Sequence, residues 1–133
     1  MRSRTWAAWL AWGLLLAWGA MGCGGPKNVT VTGHILRGGK PLPLSKTGVV
    51  QITLMPDVGP DQDYTTYVGR CEPDGSFRIE DVPPGRYRIG IEHLDPSPQD
   101  DQLRGAFRAE NSKIVREIDG KAPLDIDLAK PGG

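Results

Sequence analysis

The stretch PDGSFRIEDVPPGRYRI, residues 73–89, decides the predicted fold. Pro73, Asp74 and Gly75 predict a tight turn, because proline fixes φ and glycine accepts a positive φ at little steric cost. Phe77 is the first large side chain after this turn, and we expect it to anchor one sheet of the core. The first half of the stretch is therefore interpreted as a turn followed by a strand.

The second half of the stretch redirects the chain and returns it to the core. Val82 is expected to point inward, while Pro83 and Pro84 lack backbone donors and so end the hydrogen-bond ladder. Gly85 suits the third position of a type II turn, which requires a positive φ. Tyr87 is expected to re-enter the core with its hydroxyl bonded near the edge, like the tyrosine corner of immunoglobulin-type sandwiches. We interpret the whole stretch as a structural motif and not as a catalytic site.

Much of the remaining chain has apolar residues at every second position, which is the pattern of strands with one buried face. The pair Gly38 and Gly39 follows the first of these strands and predicts a hairpin. Segment 103–118 suits a helical face about as well as strands, so we divide it into an irregular or one-turn piece at 103–110 and a strand. The predicted strands cover residues 29–35, 48–55, 64–71, 77–80, 86–93, 112–118 and 122–129. These seven strands predict an all-β chain folded as a seven-stranded antiparallel β-sandwich.

Residues 1–22 have the layout of a secretory signal peptide. Arg2 and Arg4 precede an apolar run at 6–20, and small residues follow it. A permanent transmembrane anchor is the alternative, but spanning a bilayer takes roughly twenty apolar residues and this run is shorter. We therefore expect export and removal of this segment.

The motif AMGC at residues 20–23 resembles the lipobox of bacterial lipoproteins, in which a signal peptidase cuts before a cysteine that then carries diacylglycerol. The resemblance implies cleavage between Gly22 and Cys23 and anchoring to membrane lipid through acylated Cys23. Residues 23–28 would then form a flexible tether. Ordinary cleavage with a free Cys23, and a disulfide from Cys23 to Cys71, are the alternatives. Without that disulfide, Cys71 is either a buried small hydrophobe or a free thiol.

Removal of the signal changes the composition. It leaves 111 residues with 14 Lys and Arg and 16 Asp and Glu, since two of the 16 basic residues, Arg2 and Arg4, lie in the signal. The resulting net charge of −2 excludes a strongly basic protein built to bind nucleic acid. The remaining length suits a single domain with a real core.

With the strands placed, the chain resembles the carboxypeptidase regulatory-like domain, a transthyretin-like or prealbumin-like sandwich. The shared pattern is GKPL at 39–42, DGSF at 74–77, DVPPGRY at 81–87 and IDL at 126–128. The resemblance covers about residues 29–130 and implies an immunoglobulin-like Greek key, in a chain organised as signal 1–22, tether 23–28 and domain 29–130. It implies a fold more firmly than a function, because one fold serves many functions.

The sequence lacks common motifs for catalysis and for cofactor binding. His34 and His93 lie in no HExxH or HxxE motif, and there is neither a GxSxG nucleophile elbow nor a Gly-rich phosphate loop. We expect no enzyme, no cofactor and no metal, with an unrecognised hydrolase that uses His34 or His93 as an alternative. Acidic loops are the one other candidate, because calcium prefers several carboxylate oxygens. These carboxylates belong to Asp57, Asp61, Asp63, Asp95, Asp100 and Asp101.

The main hypothesis is a non-enzymatic, lipid-anchored, extracytoplasmic sandwich that presents a rigid surface to an unknown protein or to the cell envelope. It would sit on the cell membrane or outer membrane and face the periplasm or the exterior. Edge strands and the loops 56–63 and 94–105 are the expected contact elements. The alternative is a carbohydrate-binding module that uses Tyr64 and Tyr67 as its ligand surface.

Overall fold

The computed structural model describes residues 27–130. Within that range the chain is all-β, and it holds no helix that could span a membrane. The strands are β1 (Val29–Arg37), β2 (Lys40–Pro41), β3 (Val49–Pro56), β4 (Tyr67–Arg70), β5 (Ser76–Val82), β6 (Gly85–Leu94), β7 (Val115–Ile118) and β8 (Leu124–Asp127). They form two four-stranded sheets. The prediction of an all-β chain with two layers of strands is confirmed.

The first sheet is built around β1, which pairs with β2 and β5 antiparallel and with β8 parallel. Eight strands were found where seven were predicted, because Lys40 and Pro41 pair with β1 across the Gly38–Gly39 turn. The expectation of purely antiparallel pairing is wrong for β8. This strand follows a crossing from the second sheet at residues 119–123 and runs beside β1 in the same direction. Alternation of apolar residues marks a strand but carries no information on its direction.

The second sheet has the order β4-β3-β6-β7 and is antiparallel throughout. Inward side chains of both sheets meet in one core, as in a β-sandwich. The buried hydrophobic residues of the strands are Val31, Ile35, Val50, Ile52, Leu54, Phe77, Ile79, Val82, Tyr87, Ile89, Ile91, Ile118, Leu124 and Ile126. Connecting segments add Leu42, Leu103, Ile114 and Leu128 to this core.

A β-bulge in β5 explains how Ile79 and Val82 are both buried despite their odd spacing. Val31 pairs with Ile79, but Val29 pairs with Val82, so two residues of β5 oppose the single Thr30. One of these two, Asp81, has φ 57°. The bulge shifts the alternation by one residue and turns Val82 into the core.

The chain crosses between the sheets at Pro83 and Pro84. Gly85 is the first residue of β6 and has φ 154°, far from the value of about 80° at the third position of a type II turn. The type II assignment is therefore wrong, although φ at Gly85 is positive. The Tyr87 hydroxyl donates to the Pro83 carbonyl at 2.5 Å, which fastens the crossing to β6.

The turn before β5 is held against β1. The Gly75 N–H donates to the Glu72 carbonyl, and the Asp74 carboxylate accepts both the N–H and the hydroxyl of Ser76. Gly75 is buried with φ 87°, and its carbonyl accepts the Ile35 N–H at 2.8 Å. The turn is thus bonded to the central strand of the first sheet.

Segment 101–114 covers the edge of β6 beyond the end of β7. Strand β7 begins at Val115 and not at residue 112 as predicted. The Ile89 N–H donates to the Ile114 carbonyl and the Ile91 N–H to the Phe107 carbonyl, so irregular backbone replaces a strand here. Segment 101–114 overlaps the loop 94–105, which was predicted as a contact element, only at residues 101–105.

Candidate functional site

The domain has two ends that are set by β1. We call the end near Val29 the near end. Val29 pairs with Val82, so the crossing at Pro83 and Pro84, which follows Val82 directly, lies at this end as well. The opposite end, beyond Arg37, is the far end. Nine residues of β1 separate the two, a distance of about 26–30 Å at roughly 3.3 Å per residue.

A groove of about 850 Å³ lies at the far end. The β1–β2 hairpin, the segment that follows it, and the end of β6 with the loop beyond it form its walls. Its lining residues are Arg37, Lys40, Pro41, Leu42, Pro43, Leu44, Ser45, His93, Asp95 and Gln102. We call this cavity the far-end groove; it combines cationic, apolar and polar groups.

One wall of the groove is locked by Ser45 and Asp95. The Ser45 hydroxyl donates to one oxygen of the Asp95 carboxylate, and the Ser45 N–H donates to the other at 2.8 Å. These hydrogen bonds, the hydroxyl first and the backbone second, hold the pKa of the Asp95 carboxyl below its ordinary value. Both carboxylate oxygens are therefore already engaged within the protein.

His93 forms a second wall and is only 6% exposed. Its backbone N–H donates to the Asp101 carboxylate at 3.0 Å, and its carbonyl accepts the Gln102 N–H at 2.7 Å. The imidazole Nε2 is buried and has no hydrogen-bond partner among residues 27–130. A buried polar atom without a partner costs free energy, so Nε2 calls for an explanation.

The rim of the groove carries two cations. Arg37 and Lys40 are opposite each other in the β1–β2 hairpin and are both exposed. Neither forms an ion pair within the described part of the chain. The hairpin itself is held by Asp127, whose carboxylate accepts the N–H groups of Gly38 and Gly39. The two charges are thus displayed on a fixed turn.

Ser45, His93 and Asp95 do not form a catalytic relay. Nucleophilic catalysis by serine needs its hydroxyl bonded to a base that takes the proton. Here the hydroxyl donates to Asp95, and no hydrogen bond joins Ser45 to His93 among residues 27–130.

The structure separates the two tyrosines that were expected to form a ligand surface. Tyr64 is 53% exposed and lines a pocket of about 310 Å³ with Val58 and Arg88 at the near end. Tyr67 packs against the core, edge-on to Tyr87 with ring centroids 6.2 Å apart. Only Tyr64 is therefore placed to meet a ligand.

Three of the six acidic side chains of the loops, those of Asp57, Asp95 and Asp101, are bound by donors of the protein. Asp57 contacts the guanidinium groups of Arg86 and Arg88, and Asp101 accepts three backbone N–H groups. Within residues 27–130 no three His, Cys, Asp or Glu residues are grouped so that they could hold a metal ion. The grouping of carboxylates that the calcium alternative requires is therefore not seen among these residues.

The remaining residues singled out in the sequence lie apart from the groove. His34 is on the exposed face of β1, with Nδ1 3.3 Å from an oxygen of Asp125. Cys71 is free and partly buried, and burial, followed by the charges of Asp74 and Glu72, raises its pKa to about 12. Gly22, Cys23 and the whole signal 1–22 lie outside the described residues.

Sequence reasoning missed the groove, although one signal for it was present. In β6, Tyr87, Ile89 and Ile91 occupy alternate positions, and His93 continues that series. A histidine on the inward face at the end of a strand predicts a buried imidazole. The approach of the hairpin and of Asp95 to this histidine depends on contacts between distant parts of the chain.

No protein-family model matches the chain, and no curated protein or solved structure matches it. The function is therefore inferred from the groove and its residues.

Proposed function

We propose that the chain is a non-enzymatic, lipid-anchored, extracytoplasmic binding protein that presents the far-end groove to a protein or to another component of the cell envelope. The observation that carries this proposal is the position of a locked, polar groove at the end of β1 opposite the tether. With Cys23 acylated, the tether meets the domain at Val29. The groove then lies about 26–30 Å from this point, at the other end of β1.

The rigidity of the groove supports a binding role. Ser45 is fixed to Asp95, and the Gln102 amide donates to the Asp95 carbonyl at 2.7 Å. Asp101 fixes the backbone of His93. A preformed site loses little conformational entropy when it binds, so more of the interaction energy contributes to affinity.

The carboxypeptidase regulatory-like, transthyretin-like fold belongs to the same proposal. It is supported by where the family-like motifs fall: DGSF at 74–77 forms the turn into β5, and DVPPGRY at 81–87 forms the bulge and the crossing into β6. Tyr87 fastens that crossing, as a tyrosine corner would.

A carbohydrate-binding module is the second candidate, and the exposure of Tyr64 favours it. An aromatic face beside Arg88 and Val58 in an open pocket could stack on a sugar ring. A glycan array probed with wild type and Tyr64→Ala tests this. Binding that is lost with Tyr64→Ala would support the second candidate, and binding that survives in this variant would remove it.

The anchoring half of the proposal is tested by metabolic labelling with a palmitate analogue. Cys23→Ser should lose the label and leave the membrane fraction, while Cys71→Ser, the matched control, should keep both. Unchanged labelling of Cys23→Ser would overturn the lipoprotein assignment. Hydrolysis of a substrate in a broad panel, lost in His93→Ala or His34→Ala, would overturn the non-enzymatic assignment.

A further inference from the structure

We infer that the far-end groove binds a peptide segment that carries carboxylate side chains. This inference rests on the proposed binding function and names the chemistry of the partner. Charge, shape and hydrogen bonding at the groove each contribute to it.

The charge of the groove favours an anion. Arg37 and Lys40 contribute two positive charges at the rim without an ion-pair partner among the described residues. The carboxylate of Asp95 is the opposing charge, but two donors of Ser45 already bind its oxygens. A carboxylate that enters at the rim therefore meets cationic donors first, and charge-assisted hydrogen bonds of this kind are among the stronger ones.

The floor of the groove favours a peptide over a sugar. The aliphatic part of the lining consists of Pro41, Leu42, Pro43 and Leu44, and none of the lining residues is Trp, Tyr or Phe. Aromatic faces, on which sugar rings stack, are therefore missing from the lining, whereas aliphatic surface suits the side chains of an extended peptide. A volume of about 850 Å³ accommodates several residues of such a segment.

The unpartnered Nε2 of His93 is the third observation. His93 lines the groove, and its backbone is fixed by Asp101 and Gln102. Because Nε2 is buried, the ring would turn about its side-chain bonds to meet an oxygen acceptor of a bound side chain, and that hydrogen bond would remove the cost of leaving the atom without a partner. A peptide carboxylate supplies such an acceptor, and Arg37 and Lys40 neutralise its charge.

The test uses the mature acylated protein in detergent and fluorescence anisotropy. The probes are two fluorescein-labelled pools of randomised octapeptides: one has two central Asp or Glu residues, and the other has Asn or Gln there. We expect the acidic pool to bind at least about tenfold tighter, with affinity that falls as salt is raised.

The double variant Arg37→Gln/Lys40→Gln should lose that preference, whereas Lys121→Gln, which neutralises a cation away from the groove, should keep it. His93→Phe should weaken binding of the acidic pool more than His34→Phe does.

Equal affinity for the two pools, or an acidic preference that survives in the double variant, would overturn the inference. Groove-dependent binding of a polyuronate or of inorganic phosphate, without binding of the acidic peptides, would overturn it as well. Neither result would contradict the proposed binding function. That function is tested by photo-cross-linking from the groove in intact cells, which does not depend on the chemical class of the partner.

Discussion

The buried carboxylate of Asp101 accepts the backbone N–H of His93 at 3.0 Å and thereby joins the 101–114 segment to the end of β6. The same carboxylate accepts the N–H groups of Leu103 and Gly105, and its side chain is 3% exposed. One acidic side chain therefore closes the edge of the second sheet and fixes the histidine of the groove.

Asp101→Ala should lower the free energy of unfolding by about 2–4 kcal/mol, because three backbone donors lose a charged acceptor. Asp101→Asn keeps one acceptor oxygen and should cost less. Urea unfolding measures both changes. Hydrogen exchange should also show faster exchange at the amides of Ile91 and His93. A cost below about 0.5 kcal/mol for the alanine variant would show that the contact does not stabilise the segment.

Tyr87→Phe removes only the hydroxyl that donates to the Pro83 carbonyl. The ring still packs edge-on to Tyr67, so the loss isolates one part-buried hydrogen bond. We expect a destabilisation of about 1–2 kcal/mol in urea melts, with an unchanged m-value. Tyr64→Phe, an exposed matched control, should be neutral. Equal effects of the two variants would contradict a structural role for the Tyr87 hydroxyl.

Gly75→Ala should cost about 2–4 kcal/mol, since it adds strain at a positive φ and also a steric clash. A Cβ at this position would lie 2.6 Å from the Ile35 carbonyl oxygen. Gly39→Ala is the matched control, because Gly39 has φ 77° but open space around its Cβ position. It should cost only about 1 kcal/mol. Similar thermal shifts for the two variants would show that the contact with β1 is unimportant.

Cys71 should react slowly with iodoacetamide while the protein is folded, because its pKa is raised to about 12. In a Cys23→Ser background at pH 8, alkylation should be roughly 10³-fold slower in buffer than in urea, since the thiolate is the nucleophile. Below about pH 9 the thiol is protonated in both the folded and the unfolded protein, so the raised pKa does not change the free energy of unfolding. Between about pH 9 and 12 the thiol ionises in the unfolded protein first, and the free energy of unfolding should fall. Native and unfolded rates within a factor of about ten would contradict this.

Local pattern was enough to predict most strands. Alternation placed β1, β3 and β6 close to their observed bounds, and the Gly38–Gly39 pair marked a real hairpin. The bulge at Asp81 was not predicted, because its register depends on how β1 pairs with β5. The parallel pairing of β8 and the covered edge of β6 also depend on contacts between distant residues. Such contacts cannot be inferred from the alternation of apolar residues or from the residue types in the turns.

The candidate site was harder to predict than the fold. The sequence drew attention to dense charges in loops, but Asp95 and Asp101 bind backbone donors of the protein. Conversely, no motif in the sequence marks Arg37 and Lys40 as part of a site. They become part of a site only because the hairpin lies against the end of β6, beside His93.

Site-specific photo-cross-linking in intact cells tests the proposed groove function most directly. A benzophenone side chain is introduced at position 40 on the groove rim, or at position 121 away from the groove, in the acylated protein. We predict a discrete adduct from position 40 that is absent from position 121. Equal adducts from both positions, or none from position 40 in properly exported protein, would contradict a binding role for the far-end groove.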